Sequence, residues 1–240
     1  MLAGAYFFGG IMKKLLNYFS KGEIVLWLAS TLLIAVSFVI FDRENYLALV
    51  ASLVGITSLI LNAKGNPTGL ILMIIFSGIY GYISYSYAYY GEMITYVGMS
   101  GPMSAIAFIA WLRNPYNGNH AEVKINQINA KEVIFMLMLS FVVTVIFYYI
   151  LKYFNTANLI PSTLSVTTSF IAVYLTAKRS PYYALAYGAN DIILIVLWIL
   201  AVMEDISYIS VIICFVAFLA NDIYGFINWK KMMKRQSQSN

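Results

Sequence analysis

Long apolar runs, interrupted at short intervals by charged or turn-forming residues, extend from residue 24 to residue 229. Each run approaches the ~20 residues with which an α-helix crosses the hydrocarbon core of a bilayer. The interruptions include the triplet Asp42-Arg43-Glu44 and two turns that end at Pro67 and Pro181. The pattern predicts eight transmembrane helices, at 24–41, 46–62, 68–87, 93–112, 133–153, 162–177, 182–203 and 207–229.

Composition supports a membrane protein of the all-α polytopic class. Hydrophobic residues make up 61% of the 240 residues and charged residues only 10%, whereas soluble domains carry roughly 25% charged residues. The net charge of +5 could suit a nucleic-acid-binding protein. However, the basic residues lie at the ends of apolar runs and in the C-terminal tail, which is typical of a cytoplasmic membrane surface. We therefore expect a lipid bilayer as partner and no nucleic acid.

The distribution of basic residues predicts the orientation. With eight helices and a cytoplasmic N-terminus, only Arg43 and Lys152 face the outside, and the other 13 of the 15 basic residues face the cytoplasm. The positive-inside rule then places both termini in the cytoplasm. The cytoplasmic set is Lys13, Lys14, Lys21, Lys64, Arg113, Lys124, Lys131, Lys178, Arg179, Lys230, Lys231, Lys234 and Arg235.

Two turns resemble each other: LNAKGNP at 61–67 and LTAKRSP at 175–181, 114 positions apart. The two helices after each turn end at Trp111 and at Trp229, 118 positions apart. A chance match of a short turn is the alternative explanation. The similarity predicts a parallel repeat of two three-helix units, a transporter architecture, in a 1+3+1+3 arrangement. Its segments are an N-terminal cytoplasmic segment (1–23), an additional helix (24–41), a first bundle (44–112), a cytoplasmic loop (113–131), a linker helix (132–153), a second bundle (160–229) and a basic cytoplasmic tail (230–240).

Two carboxylates fall inside the predicted helices, Asp191 and Asp222, each preceded by asparagine. A carboxylate at the bilayer centre costs at least ~2.5 kcal/mol on insertion scales, so such residues are functional candidates. Amides, hydroxyls and aromatic rings on the third, fourth, sixth, seventh and eighth predicted helices suit a polar solute with a ring. Helix packing is the alternative role for the hydroxyl and amide groups. The predicted substrate site comprises Asn190, Asp191, Tyr187, Trp198, Asn221, Tyr224, Asp222, Thr168, Ser77, Tyr80 and Tyr96.

Other chemistries find little support in the sequence. His120 and Cys214 are the only histidine and the only cysteine, too few for a metal site of ordinary composition. No phosphate-binding loop, nucleophile elbow or HExxH motif occurs. We therefore expect neither an enzyme nor a cofactor.

The runs KGNPTG at 64–69, YYGE at 89–92 and NDIYGFINW at 221–229 resemble the Pnu family of bacterial vitamin transporters. The resemblance extends from about residue 44 to residue 231. It implies a SWEET-like fold, a homotrimer in the bacterial cell membrane, and substrate contacts from aromatic and Asn side chains of both bundles. It carries these contacts over to Tyr187, Asn190, Asp191, Trp198, Asn221 and Tyr224.

The function that the resemblance implies is facilitated uptake of nicotinamide riboside, made one-way by a cytoplasmic kinase that phosphorylates the solute. A deoxyribonucleoside, thiamine or riboflavin is the alternative substrate. Proton coupling through Asp191 is a second hypothesis, and a membrane scaffold or receptor without transport is a third.

Overall fold

A computed structural model of the protein describes residues 18–86, 90–203 and 205–238. Eight helices in these ranges are long and apolar enough to cross a membrane, which confirms the predicted number. Residues 1–17 of the predicted N-terminal cytoplasmic segment (1–23) lie outside the described residues. The helices are α1 (Lys21–Phe41), α2 (Tyr46–Ala63), α3 (Thr68–Ser86), α4 (Tyr90–Leu112), α5 (Ala130–Tyr153), α6 (Leu159–Ala177), α7 (Tyr183–Val202) and α8 (Ile209–Gln238).

Helices α1 and α5 begin in the same way. The Ser20 side chain accepts a hydrogen bond from the Glu23 amide, and the Glu23 carboxylate accepts one from the Ser20 amide. Asn129 and Glu132 form the same reciprocal pair at the start of α5. Each pair satisfies two of the amides that a helix N-terminus leaves without partners.

The helix packing follows a two-fold pattern. In the first unit α3 packs against both α2 and α4, and in the second unit α7 packs against both α6 and α8. Between these three-helix units, α4 contacts α6 and α8 contacts α2. Exchanging the two units reproduces these contacts, as expected of a parallel repeat about an axis along the membrane normal. Among the described residues, α8 also packs along α1, whereas α4 makes no contact of similar extent with α5.

The two repeat turns have equivalent hydrogen bonds. In each turn the amide of the sixth residue, Asn66 or Ser180, donates to the carbonyl of the first residue at 3.0 Å. The amide of the fifth residue donates to the carbonyl of the second at 2.9 Å in both turns. This correspondence supports a true repeat over a chance match.

Two buried tryptophans meet where the units contact each other. The Trp111 indole donates to the Thr176 carbonyl at 2.8 Å, and the Trp229 indole donates to the Asn62 carbonyl at 2.8 Å. Their ring centroids are 5.3 Å apart. Each unit therefore supplies a tryptophan that satisfies a helix-terminal carbonyl of the other unit.

The first helix, predicted as an addition at the front, pairs with its unit as α5 does. Lys64 lies 3.1 Å from the Glu23 carboxylate, and Lys178 lies 3.1 Å from the Glu132 carboxylate. In both cases a glutamate in the first turn of one helix, α1 or α5, contacts the lysine that directly follows the next helix, α2 or α6. The 1+3+1+3 arrangement thus consists of two copies of one four-helix unit, here called a 1+3 unit, in which one leading helix precedes a three-helix bundle.

The predicted polar loop between the units is folded. It contains an antiparallel hairpin of β1 (Pro115–Tyr116) and β2 (Asn119–Val123). The Val123 amide donates to the Gly65 carbonyl at 2.9 Å, and the Asn126 amide donates to the Arg179 carbonyl at 3.0 Å. The loop therefore ties together the two repeat turns.

Helix α8 runs to Gln238, so it continues past the end predicted at Trp229. The predicted basic tail is helical as far as that residue, and Gln236 accepts a hydrogen bond from the Ile125 amide at 2.8 Å. This contact with the loop explains the extension, because it holds the last turns of α8 against the protein.

The two ends of the bundle differ in charge. One end, which we call the acidic end, carries Asp42, Arg43, Glu44, Lys152 and Asp205 in or beside its loops. The opposite end, the basic end, carries Lys21, Lys64, Arg113, Lys124, Lys131, Lys178, Arg179, Lys230, Lys231, Lys234 and Arg235. Between the ends, large apolar side chains face outward, as lipid contact requires; on α5, Phe141 is 70% exposed.

Candidate functional site

A cavity of about 100 Å³ lies between the two units and is lined by residues of α2 to α8. It is smaller than the ~300–1,000 Å³ of typical ligand pockets, so its walls must separate to admit a solute of nucleoside size. We call it the central cavity. It brings together six of the predicted site residues: Ser77, Tyr96, Tyr187, Asn190, Asp191 and Asp222.

Two carboxyl groups from neighbouring helices meet in the central cavity. Asp191 on α7 and Asp222 on α8 are each 4% exposed, and both carboxyl groups lie close together in the cavity lining. Asp191 Oδ2 has no donor among the described residues, so this oxygen can accept a hydrogen bond from a solute.

The amide of Asn190 is held in a fixed orientation beside this pair. Its Oδ1 accepts hydrogen bonds from Ser165 and from Thr168, both at 3.0 Å. Thr168, a predicted site residue, therefore lies behind the lining and positions Asn190. Because the oxygen is occupied, the Asn190 NH₂ group is the part that can donate to a solute.

Aromatic rings form the opposite wall. The Tyr96 ring lies 5.1 Å from Tyr80 and 6.1 Å from Phe76, and Tyr80 lies 4.8 Å from Phe76. Tyr96 and Phe76 line the central cavity, whereas Tyr80, also predicted, lies behind them. Residues 94–100 of α4 are π-helical, and such widened turns occur often at functional sites. Phe76 was not predicted as a site residue, because an apolar ring is ordinary in a membrane helix.

Three predicted residues lie outside the central cavity. Asn221 donates to Ser30 of α1 at 3.0 Å, and Tyr224 donates to Glu23 at 2.7 Å, so both connect α8 to α1. Trp198 lies near the acidic end, in a separate pocket. Polar side chains in a membrane helix commonly serve such packing contacts, and residue type alone does not distinguish them from cavity-lining groups.

Glu92 is a cavity residue that the sequence analysis missed. It lies in the first turn of α4, one residue before the predicted start of that helix at residue 93. It lines the central cavity, and the Ser84 hydroxyl lies near its carboxyl group. The only available signal was its place in the YYGE run that carries the family resemblance.

Two further pockets, here called the outer pockets, open toward the acidic end. One, of about 290 Å³, lies between residues 154–158 and the end of α7. The other, of about 150 Å³, is lined by Asp42 and Asp205. Burial raises the pKa of the Asp42 carboxyl, the Asn45 side chain opposes this by hydrogen bonding, and the charge of Asp205 adds to the rise. Within the described chain, no lysine or arginine lines the central cavity or either outer pocket.

Residues 45–231 match the family of nicotinamide mononucleotide transporters. The chain belongs to this family. Among its relatives, the nicotinamide riboside transporter PnuC of Neisseria mucosa is 26% identical over 215 residues, which are 88% of this chain and 82% of that protein. The nicotinamide riboside transporter PnuC of Haemophilus influenzae is 24% identical over 212 residues, 88% of this chain and 91% of that protein.

The fold agrees with this family assignment. The crystal structure of the vitamin B3 transporter PnuC matches with a TM-score of 0.78 at 26% identity, and covers 91% of this chain and 94% of that structure. The Pnu-like resemblance and the polytopic helical fold predicted from the sequence are thereby confirmed. The protein is a multi-pass bacterial membrane protein of a transporter family.

Proposed function

We propose that this protein takes up nicotinamide riboside by facilitated diffusion through the central cavity. The observation that carries the proposal is the composition of that cavity, which combines carboxyl and amide groups with aromatic rings and has no basic residue among its described lining. The names of its relatives support the choice of solute. Carboxylate and amide groups suit ribose hydroxyls, and aromatic rings suit a planar base.

Individual side chains then have distinct roles. The free oxygen of Asp191 and the NH₂ group of Asn190 bind ribose hydroxyls. Phe76, Tyr96 and Tyr187 hold the nicotinamide ring. Because nicotinamide riboside is a cation, the carboxyl pair of Asp191 and Asp222 also provides charge complementarity.

The charge of the cavity favours the riboside over its phosphorylated form. Proteins bind phosphate groups chiefly with arginine, lysine and backbone amides, and no basic side chain lines the central cavity among the described residues. A solute phosphorylated by a cytoplasmic kinase would be repelled by the carboxylates on its way back. This supports one-way accumulation by coupling to such a kinase, with no energy source in the transporter itself.

We further infer that the basic end faces the cytoplasm, since cytoplasmic surfaces carry an excess of lysine and arginine. Transport then proceeds by rocking of the two 1+3 units, which opens the central cavity first toward the acidic end and then toward the basic end.

The family resemblance implies a homotrimer, which native mass spectrometry of the purified protein tests.

A ligand panel tests the proposed function. A ligand that binds only the folded state raises its stability, so we expect nicotinamide riboside to raise the melting temperature of the purified protein. Nicotinamide mononucleotide, thiamine, riboflavin and deoxyribonucleosides should give smaller shifts. A larger shift with another solute would identify that solute as the substrate, and no shift throughout would favour a scaffold or receptor.

In proteoliposomes, uptake that is independent of a pH gradient would exclude proton coupling through Asp191.

A further inference from the structure

Carboxylates continue from the acidic end of the bundle into the central cavity. Asp42 and Asp205 line an outer pocket, Glu92 lines both that pocket and the central cavity, and Asp191 and Asp222 lie within the central cavity. We infer that Glu92 is a specificity-determining residue that selects solutes with a fixed positive charge as they pass from the outer pockets to the central cavity. This inference rests on the proposed function and specifies the chemical class of its solute.

The position of Glu92 gives the first argument. It is the one described residue that lines the central cavity and both outer pockets. A solute that enters from either outer pocket therefore passes its carboxylate. Its neighbour Ser84 carries a neutral hydroxyl, and no ion pair involves Glu92 in the described part of the chain. Its carboxyl group is thus available to a mobile cation.

The groups around Glu92 suit an aromatic cation. Tyr96 lies one helical turn further along α4, and its ring packs against Tyr80, which lines the same outer pocket as Glu92. In the outer pockets the Trp198 and Tyr208 rings lie 5.1 Å apart. The faces of such rings attract cations. The path therefore offers both negative charge and aromatic faces, with no described lysine or arginine to compete.

Two buried polar atoms at the inner end of this path have no hydrogen-bond partner among the described residues. They are Asp191 Oδ2 and Ser77 Oγ, although the two residues are only 4% and 1% exposed. Leaving a buried polar atom without a partner is destabilising. Both residues line the central cavity, so a bound solute can supply the missing contacts, and a carboxylate oxygen favours a solute that is positively charged.

A pair of solutes that differ in charge tests the inference. Nicotinamide riboside is a cation, whereas its 1,4-dihydro form keeps the ribose and the carboxamide but is uncharged. We expect the purified wild-type protein to bind the cation about tenfold more tightly than the dihydro form. This is the size of effect expected when the cation makes one additional charge interaction in a partly dehydrated cavity. The Glu92→Gln substitution should remove most of this preference and leave the affinity for the dihydro form within about twofold.

Two further variants make the result specific. Glu92→Asp keeps the charge and should retain the preference, which separates charge from loss of structure. Glu44→Gln removes an exposed carboxylate that lines none of the three cavities and should change neither affinity. Melting temperatures of all variants without solute check that each is folded.

The possible results separate the inference from the proposed function. If the wild type binds neither solute, the proposed function is wrong. If it binds both equally, or if Glu92→Gln weakens both by the same factor, the riboside site stands and charge selection is overturned. If the wild type prefers the cation and Glu92→Gln keeps that preference, selection by Glu92 is overturned.

Discussion

The two 1+3 units share their contacts at the basic end and differ at the centre of the membrane. At the basic end each unit has the same turn, the same Glu–Lys pair and the same tryptophan contact. At the centre, Ser77 of the first unit corresponds to Asp191 of the second, 114 positions later. Ser104 and Asp222 likewise lie seven residues before the equivalent tryptophans. One unit thus supplies hydroxyl groups where the other supplies carboxylates.

This difference indicates how a duplicated scaffold acquires one asymmetric site. The symmetric contacts at the basic end hold the two units together in equivalent ways, and they do not line the central cavity. Of the asymmetric residues, Ser77, Asp191 and Asp222 line it. A small solute with a charged ring on one side and hydroxyls on the other matches such a site better than a symmetric one.

The largest expected effect comes from breaking the central asymmetry. Asp191→Asn removes the charge but keeps the shape of the side chain, and it should weaken nicotinamide riboside binding by about thirtyfold or more, since loss of a buried charged contact costs about 2–5 kcal/mol. The equivalent change in the first unit, Ser77→Ala, should cost less than about tenfold. Isothermal titration calorimetry on both purified variants measures this difference. Equal losses would contradict a division of roles between the units.

The tryptophan contacts test the symmetric part. Trp229→Phe keeps a ring but leaves the Asn62 carbonyl without its donor, and Trp111→Phe does the same to the Thr176 carbonyl. Each substitution should lower the free energy of unfolding by about 1–2 kcal/mol. Thermal unfolding in detergent micelles compares the two. A loss for only one of them would show that the units do not contact each other equivalently.

The smallest effect concerns the fifth residue of each repeat turn. Gly65 has φ +69° and Arg179 has φ +58°, a conformation that favours glycine. An added Cβ at Gly65 would also lie 2.9 Å from the Met232 methyl. We expect Gly65→Ala to lower stability by about 1 kcal/mol and Arg179→Gly to raise it by about 0.5 kcal/mol. The melting temperatures of the two variants test this prediction. If both temperatures shift in the same direction, the two turns are not equivalent.

Hydropathy and the energetic cost of charge in lipid account for what the sequence could predict. The eight helices followed from hydropathy, the repeat from the similarity of two turns, and the choice of Asp191 as a candidate from the cost of charge in lipid. Which neighbour satisfies a polar group depends on helix rotation, so Asn221 and Tyr224 proved to contact α1. Glu92 was missed because helix ends are the least certain feature of a hydropathy pattern, and α4 starts three residues earlier than predicted.

The structure of the protein with bound nicotinamide riboside tests the central claim most directly. We expect the solute in the central cavity between the two units, with its ribose at Asp191 and Asn190 and its ring near Phe76 and Tyr96. A riboside bound only in an outer pocket, for example at Trp198, or on the surface of a single unit, would contradict it.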